Sequence, residues 1–554
     1  MKNKKWISLC AAAGAVGTAS AAPSPNVVIV LLDDVGTGWI PPYAARLTPA
    51  DVEAEIVKFY EEKRSKGTPV DVQKHIQAAR DCMPFLSMLS KESAVFDRAF
   101  ATAALSAPSR AGLLTGTFQQ RWGAYWNADI DDHGVPADRT VMAEPLKAAG
   151  YRTAMIGKYH IATKDESIKE KVWLELGEQL PIPRGSKGRW PEMRERVAEL
   201  GYQSSSKPGQ HPLDRGFDYY FGYNSHDSKY FNAIGLWENR ELVPRRPDGE
   251  FLTELFNEKS CRFIEDSLKA KQPFFLYYAP MTLHGGITRP PEKYVKPFNT
   301  GVQFSDEYAG HLLALDEGIK QIFKVLEKYK QVDNTLFIFA CDNGCTLYAV
   351  PPYNAPNRGG KGSGWLGGIN VPLIIWQKGK VVPGIYKDPV SYADIMPTVL
   401  DAAGVSPVAG IDGLSLRPFL HGESKMTPRD TLVSSGIHSS RWAYSYEADG
   451  EENKQDAEKC PLYAFAIDRN QQLLMHVTAT VPGLYKFLPD GLPAREMLFD
   501  LNTDSHQKKN LIEQHPAPAE FLNSEIHLWL KGMSAPITSQ KADYFYLLKQ
   551  TEKK

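Results

Sequence analysis

The chain of 554 residues carries 64 lysines and arginines against 65 aspartates and glutamates, so its formal net charge is −1. This balance excludes nucleic-acid binding through a bulk positive field, and we expect no nucleic-acid partner. Hydrophobic residues make up 43% of the chain, which is typical of a folded protein and excludes a disordered one.

The N-terminal segment has the three parts of a secretory signal peptide. Lysines at positions 2, 4 and 5 precede a largely apolar stretch at residues 6–17, and Ala-Ser-Ala at 19–21 offers a cleavage site. We therefore predict a signal peptide at residues 1–21 and a secreted or periplasmic protein. Cys10 makes a lipoprotein the alternative, which the large Leu9 before it disfavours. No later stretch is apolar for long enough to predict a transmembrane segment.

Acidic residues follow the first predicted strand. Residues 26–32 form an apolar, β-branched run that predicts a strand buried on both faces. Asp33 and Asp34 stand at its carboxyl end, where ligands bind in open α/β sheets. Two adjacent carboxylates repel each other, so a bound cation is the natural resolution. The alternative, a loop with one capping aspartate, explains only one of them.

The stretch from residue 106 to 116 reads Ser-Ala-Pro-Ser-Arg-Ala-Gly-Leu-Leu-Thr-Gly. Pro108 suits the first turn of a helix, and Ser106 or Ser109 offers an N-cap oxygen. Arg110 adds a cation near the helix N-terminus, which is a favourable place for an anion. Taken alone, the stretch predicts no more than a capped helix, and its neighbours decide its role.

Basic side chains follow two further predicted strands. Lys158 and His160 come just past a short strand at 152–156, and His284 lies beyond a buried strand at 273–279. A lone lysine is usually solvent-facing and a lone histidine usually structural. Lys158 and His160 together at the end of a core strand favour a functional interpretation.

A second oxygen-rich pair repeats the arrangement of the first. Asp342 and Asn343 follow an apolar strand at 335–340, where Asp-Asn-Gly alone would predict only a turn. With the first pair they give four oxygen-bearing side chains, which favour Ca²⁺ or Mg²⁺ over zinc. Residues 306–330, before this strand, predict a long amphipathic helix whose apolar stripe belongs to the core.

Two polar loops complete the set of candidate residues. Lys361 lies in the Gly-rich segment 358–364, which permits close approach of an anion and lacks the Walker spacing. A flexible surface loop is the alternative. A second polar cluster predicts substrate contacts or, equally, an ordinary loop; its members are Asn224, His226, Asp227 and Tyr230.

The pattern changes near residue 428. Short strand-like segments and one helix predict a smaller antiparallel sheet with a packed helix. The strands are expected at 440–447, 462–467, 472–478 and 496–501, and the helix at 520–530. We predict an α/β catalytic domain at residues 22–427 and a C-terminal α+β subdomain at 428–554.

The combined inventory offers oxygen ligands for a metal, cations for an anion and groups for proton transfer. It suits transfer of an anionic group, either phosphoryl or sulfuryl, and composition alone does not choose between them.

With these motifs the chain resembles the sulfatase family of the alkaline phosphatase superfamily, over residues 26–512. The stretch from Ser106 is similar to the family signature Cys/Ser-x-Pro-Ser-Arg-x-x-Leu-Leu-Thr-Gly, and residues 157–160 to its Gly-Lys-Trp-His segment. Further similar segments are 274–284, 342–344, 360–362, 394–398 and 497–501. The expected fold is α/β: a large mixed, mostly parallel sheet flanked by helices, alkaline phosphatase-like, with the smaller C-terminal sheet.

The resemblance implies a chemistry for Ser106. The serine would be oxidised after synthesis to formylglycine, whose hydrate is a geminal diol. One oxygen attacks sulfur and displaces the alcohol; the other is then deprotonated, so that sulfate leaves and the aldehyde re-forms. Implied ligands of Ca²⁺, or less favourably Mg²⁺, are Asp33, Asp34, Ser106, Asp342 and Asn343. Arg110 and Lys158 would steady the diol, His160 would accept its proton, and Lys361 and His284 would bind sulfate and protonate the leaving oxygen.

Departures from the family pattern are also informative. A serine-type signature implies maturation by an oxygen-independent formylglycine-generating enzyme. Leu366 to Asn370 replaces the usual Glu-Gly-Gly-Ile-Arg, and Pro280-Met281 stands where Pro-His is frequent. We predict a sulfatase for sulfated carbohydrates. The alternatives are a phosphodiesterase or phosphonate monoester hydrolase of the same superfamily, and a catalytically silent glycan-binding relative.

Overall fold

The computed structural model describes most of the chain. The described residues are 24–63, 65–176, 191–225, 229–346, 350–437, 462–477, 496–537, 548 and 551–552. The predicted signal peptide and the predicted strand at 440–447 lie outside these ranges. No helix within them is long and apolar enough to cross a bilayer.

Strands and helices alternate through the first 400 residues. The strands are β1 Asn26–Leu32, β2 Ala94–Phe96, β3 Ala99–Phe100, β4 Arg152–Lys158, β5 Tyr219–Tyr223, β6 Trp237–Glu238, β7 Glu241–Leu242, β8 Phe274–Ala279, β9 Thr335–Cys341, β10 Leu373–Trp376, β11 Gly384–Tyr386, β12 Val390–Ser391, β13 Thr431–Ile437, β14 Leu462–Asp468, β15 Gln472–Val477 and β16 Glu496–Asp500. The helices are α1 Pro41–Ala44, α2 Ala54–Lys63, α3 Val72–Asp81, α4 Pro84–Ser90, α5 Ser106–Thr115, α6 Asn127–His133, α7 Ala143–Ala148, α8 Glu166–Leu176, α9 Pro191–Glu199, α10 Leu252–Lys269, α11 Glu292–Val295, α12 Gln303–Lys328, α13 Leu366–Ile369, α14 Ile395–Ala402, α15 Arg417–Leu420 and α16 Pro516–Lys531.

A large mixed sheet forms the centre of the molecule. Within the described ranges it has ten strands in the order β11-β2-β10-β9-β1-β8-β4-β5-β6-β7. The central strands β9, β1, β8, β4 and β5 are parallel, whereas β10 runs antiparallel to β9. The predicted mixed, mostly parallel sheet is confirmed.

The central strands are buried because their residues are apolar on both faces. Alternate residues of β1 point to opposite sides, so Val28 and Val30 join one core cluster and Val27 and Ile29 the other. Helices α10 and α12 cover the first face, and α5 and α14 cover the second. Both faces are therefore closed, and polar side chains gather at the edge where the parallel strands end.

The C-terminal part adds a smaller antiparallel sheet, as predicted. Strands β13 to β16 pair in sequence order, and α16 packs on one face through Leu522, Ile526 and Leu530. The opposite face shares a core cluster with Phe118 and Trp365 of the preceding chain. Strand β13 is absent from the sequence prediction. Helix α16 begins four residues earlier than expected because Pro516 suits a first helical turn. The boundary at residue 428 stays a prediction.

Candidate active site

Ser106 is the first residue of α5 and is buried. The N-cap position belongs to Leu105, and no side chain caps the helix, so the expectation that Ser106 or Ser109 caps it is wrong. The Ser106 hydroxyl instead faces two acceptors, Asn343 Oδ1 at 3.2 Å and Asp33 Oδ1 at 3.4 Å. The fold thus directs this hydroxyl towards the oxygen ligands rather than towards its own helix.

The two oxygen-rich pairs meet because β1 and β9 are neighbours. Leu32 and Cys341 are partners in the parallel register, so the residues after them lie side by side. Asn343 Nδ2 donates to Asp34 Oδ1 at 2.7 Å. The backbone N–H of Asp34 donates to Asp342 Oδ1 at 3.2 Å. The four oxygen-bearing side chains therefore form one cluster, as strand-end reasoning predicts.

Three cations face the three carboxylates of this cluster. Lys158 Nζ lies 2.8 Å from Asp33 Oδ2, and Lys361 Nζ lies 2.7 Å from Asp34 Oδ2. All of these side chains are buried. Because a buried charge is costly without a partner, each ion pair offsets part of the cost of burying its two side chains.

Arg110 provides the third cation. Its Nε and one terminal nitrogen contact Asp342 Oδ2 at 2.9 and 2.8 Å, and the same terminal nitrogen lies 3.7 Å from Asp33 Oδ2. Another terminal nitrogen donates to the Lys158 carbonyl at 2.9 Å. Arg110 therefore links α5 to the carboxyl ends of β4 and β9.

The charges shift the pKa values of the cluster unequally. Burial is the largest influence on Asp33, but the charges of Lys158, His284 and Arg110 outweigh it and hold the pKa well below its usual value. Burial and then the charge of Asp33 raise the pKa of Asp342 to about 6. Burial alone would lower the pKa of Arg110, but the charges of Asp342 and Asp33 outweigh it and raise this pKa. At neutral pH, Asp33 and most of Asp342 are therefore ionised, and the Arg110 guanidinium stays charged.

Lys158 and His160 lie at the end of β4. The strand extends to Lys158, so this lysine is its last residue rather than a loop residue as expected. Gly157 has φ 107°, and a Cβ there would stand 2.0 Å from the Ala279 carbonyl oxygen. Only glycine permits this close approach of β4 to β8, which brings Lys158 to Asp33.

His160 has a partner that sequence reasoning missed. Its Nε2 lies 3.2 Å from Asp131 Oδ1 of α6. His160 is buried, whereas the Asp131 side chain is 24% exposed. No local pattern around residue 131 predicts this contact, which depends on how α6 packs against α5.

His284 lies at the rim of the cluster. One of its ring nitrogens and one oxygen each of Asp33 and Asp34 lie within 4.8 Å of one another. Burial and then the charge of Lys158 lower the pKa of His284 to about 4. The structure thus brings the other predicted catalytic and metal-ligating residues into one cluster, and it places His160 beside Asp131.

The predicted substrate contacts have a different character. Asn224 is buried, and its Nδ2 donates to the Ala162 carbonyl at 2.7 Å. Tyr230 is also buried, and its hydroxyl donates to the carbonyls of Met281 and His284. These contacts favour structural roles for both residues. His226 and Asp227 lie outside the described residues.

The donor set fits a hard divalent cation. Asp33, Asp34, Asp342 and Asn343 offer oxygen atoms at one point, and the Ser106 oxygen adjoins them. Oxygen-only donors suit Ca²⁺ or Mg²⁺, and Ca²⁺ accepts the larger and less regular set.

A family model described as Sulfatase matches residues 25–405. Among similar proteins, the uncharacterized sulfatase YdeN of Escherichia coli (strain K12) is 27% identical over 547 residues, which cover 95% of this chain and 89% of that protein. The N-acetylgalactosamine-6-sulfatase of Homo sapiens is 26% identical over 483 residues, which cover 80% of this chain and 76% of that one.

Solved structures share the fold. The crystal structure of Ps i-CgsB in complex with k-i-k-neocarrahexaose has a TM-score of 0.66 and 20% identity, covering 96% of this chain and 98% of that one. The structure of BT4656 in complex with its substrate D-glucosamine-2-N,6-O-disulfate has a TM-score of 0.58 and 17% identity, covering 92% and 98%.

Proposed function

The chain belongs to the sulfatase family of sulfate-ester hydrolases, and from that premise we propose that it removes sulfate from sulfated carbohydrates after export. Residue 106 is the proposed nucleophile, as formylglycine formed from Ser106. The observation that carries the proposal is the position of the Ser106 hydroxyl, 3.2 Å from Asn343 Oδ1 and 3.4 Å from Asp33 Oδ1. A merely capping serine would face its own helix instead.

The proposed roles follow from charge and position. Lys158 and Arg110 lie beside the nucleophile and bind its negative charge as it forms. His160, held by Asp131 at 3.2 Å, accepts a proton from residue 106. Lys361 binds a sulfate oxygen. The negative charge of the bound sulfate ester favours the protonated form of His284, which then donates a proton to the leaving oxygen. Hydration of the aldehyde gives residue 106 a second hydroxyl, whose deprotonation releases the sulfate that a serine would retain as an ester.

Asp33, Asp34, Asp342 and Asn343, with the oxygen of residue 106, would hold Ca²⁺. When bound, the cation would polarise the sulfate group and favour the ionised nucleophile. The protein's own three carboxylates and three cations balance one another. Adding a divalent cation therefore leaves an excess of positive charge, which favours an anionic sulfate ester.

The carbohydrate substrate and the export are supported by independent features. One relative is named as an N-acetylgalactosamine-6-sulfatase, and two structural neighbours hold saccharides, one of them a disulfated glucosamine. Residues 1–21 have the composition of a signal peptide. The serine-type signature matches maturation by an oxygen-independent formylglycine-generating enzyme.

The proposal is tested by substrate choice together with one substitution. We expect the protein from its native host to hydrolyse sulfate esters faster than phosphate mono- and diesters. Ser106→Ala should lower kcat/KM for a sulfate ester by about 10³-fold or more, as loss of a nucleophile does elsewhere. Ser260→Ala is a matched control, since it also removes a buried serine hydroxyl. Unlike the Ser106 hydroxyl, that of Ser260 has no hydrogen-bond partner in the described ranges.

Two outcomes would contradict the proposal. Faster hydrolysis of phosphate esters would favour the phosphodiesterase alternative. A Ser106→Ala protein as active as the parent would remove the nucleophile assignment.

A further inference from the structure

Two main-chain hydrogen bonds with Asp33 fix the loop that carries His284 on the side before this histidine. Asp33 N donates to the Thr282 carbonyl at 2.8 Å, and Leu283 N donates to the Asp33 carbonyl at 2.6 Å. Beyond His284 come Gly285 and Gly286, both exposed, where an added Cβ would meet no atom within 4 Å. Because glycine has the greatest backbone freedom, His284 needs contacts from elsewhere to keep its position.

Tyr230 supplies one of these contacts. Its buried hydroxyl lies 3.0 Å from the Met281 carbonyl oxygen and 3.3 Å from the His284 carbonyl oxygen. The Met281 carbonyl also accepts the His284 backbone N–H at 2.7 Å. Tyr230 therefore binds both ends of the turn that places His284, and its own carbonyl is fixed by Leu252 N at 2.8 Å.

His311 supplies the contact beyond the glycine pair. It lies in the long core helix α12, and its Nε2 is 2.7 Å from the Thr288 carbonyl oxygen. Burial lowers the pKa of His311 to about 4, so the ring is neutral at pH 7, and Nε2 carries the hydrogen because its partner is an acceptor. The His311 ring packs on the Tyr230 ring with centroids 4.2 Å apart.

We propose that Tyr230 and His311 are positioning residues that hold His284 beside Asp33 and Asp34 from both sides of the glycine pair. This inference rests on the proposed role of His284 as proton donor. In that step the nucleophile oxygen forms a bond to sulfur while the bond from sulfur to the alcohol oxygen breaks. The alcohol oxygen keeps the electron pair and takes a proton from the protonated His284 ring, which becomes neutral.

A series of ring-substituted phenyl sulfates tests the inference, since these esters share a shape and differ in leaving-group pKa. Proton donation matters most for the poorest leaving group. We expect Tyr230→Phe, which keeps the ring and removes the hydroxyl, to lower kcat about three- to tenfold on phenyl sulfate. Its kcat on 4-nitrophenyl sulfate should stay close to that of the parent. His311→Leu should change the dependence on leaving group in the same direction.

Two further variants make the result decisive. Tyr308→Phe is the matched control: it removes a buried hydroxyl of α12 that has no hydrogen-bond partner in the described ranges, and we expect it to leave the dependence unchanged. His284→Gln should show the strongest dependence on leaving group. In one outcome, His284→Gln shows the stronger dependence on leaving group while Tyr230→Phe slows all esters equally or slows none. That result overturns the positioning roles and leaves the proton-donor role of His284 standing. If His284→Gln shows no such dependence, the proton-donor role falls and the positioning roles fall with it.

Discussion

Buried carboxylates occur in two different settings in this protein. Asp33, Asp34 and Asp342 end two neighbouring strands, and their partners are the side chains of Arg110 and two lysines. Asp316, in the middle of α12, is equally buried but bonds to backbone: its two oxygens accept the N–H groups of Phe85 and Leu86 at 2.7 and 2.8 Å.

The partners of the carboxylates distinguish the proposed reactive site from a structural one. Both oxygens of Asp316 accept backbone N–H groups in the first turn of α4, so neither oxygen is available to bind a ligand. The strand-end carboxylates are compensated by long cationic side chains, which would be able to turn towards a substrate if a metal ion bound the carboxylates. The contrast predicts that substitutions at the strand ends change activity, whereas substitutions at Asp316 change stability.

Among substitutions that test this contrast, Lys361→Met is expected to have the largest effect, and the effect is on activity. Lys361→Met leaves Asp34 without its cation, and we expect kcat/KM for a sulfate ester to fall about 10²–10³-fold. Breaking a buried pair also lowers the free energy of unfolding by about 3–5 kcal/mol, and added Ca²⁺ should restore part of this stability but not the activity.

Lys378→Met is the matched control for that substitution. Lys378 pairs with Asp333 at 2.9 Å, but both side chains are more than half exposed, at 55% and 73%. An exposed pair contributes little, so neither kinetics nor urea unfolding should change measurably. Full activity in Lys361→Met would contradict the distinction between the two kinds of carboxylate.

A smaller effect is expected at Asp316, and on stability alone. Both oxygens of Asp316 can accept a backbone N–H even when the carboxyl is protonated, whereas the amide nitrogen of Asn cannot. Asp316→Asn therefore leaves one buried N–H of α4 unpaired. We expect a loss of about 1–3 kcal/mol in the free energy of unfolding, measured in urea at pH 5. The kcat on a sulfate ester should equal that of the parent, and a lower kcat in a folded variant would break the comparison.

An effect of comparable size is a change with pH in the stability difference between the parent and Asp316→Asn. Burial raises the pKa of Asp316 to about 7 from a usual value of 3.8, so the folded state holds this proton more tightly than the unfolded state. The stabilisation from this proton is complete below about pH 4 and is lost as the pH rises towards 7. The stability advantage of the parent over Asp316→Asn should therefore shrink between pH 5 and pH 8; a constant difference would contradict the pKa shift.

The sequence predicts the site best where a strand ends abruptly. Apolar runs stop at Leu32 and Cys341, and the acidic residues that follow are brought together by parallel pairing alone. The local pattern is enough because strand and ligand are adjacent in the chain. The large sheet follows from the same runs, since strands apolar on both faces require helices on both sides.

Contacts between distant elements are what the sequence does not predict. The pairing of His160 with Asp131 depends on the packing of α6. As a member of the polar cluster at 224–230, Tyr230 is predicted either to contact substrate or to belong to an ordinary loop. It lies instead inside an aromatic group with Phe251 and His311. Nothing in the spacing of residues 224–230 distinguishes an inward from an outward tyrosine.

Peptide mass spectrometry on residue 106 tests the central claim most directly. The active protein from its native host is digested, and the mass of the peptide containing residue 106 is measured before and after treatment with a hydrazide. The proposal predicts an aldehyde at residue 106, seen as a mass lower by two hydrogen atoms than the serine peptide and as a hydrazone adduct. An intact serine in protein that hydrolyses sulfate esters would contradict the formylglycine mechanism.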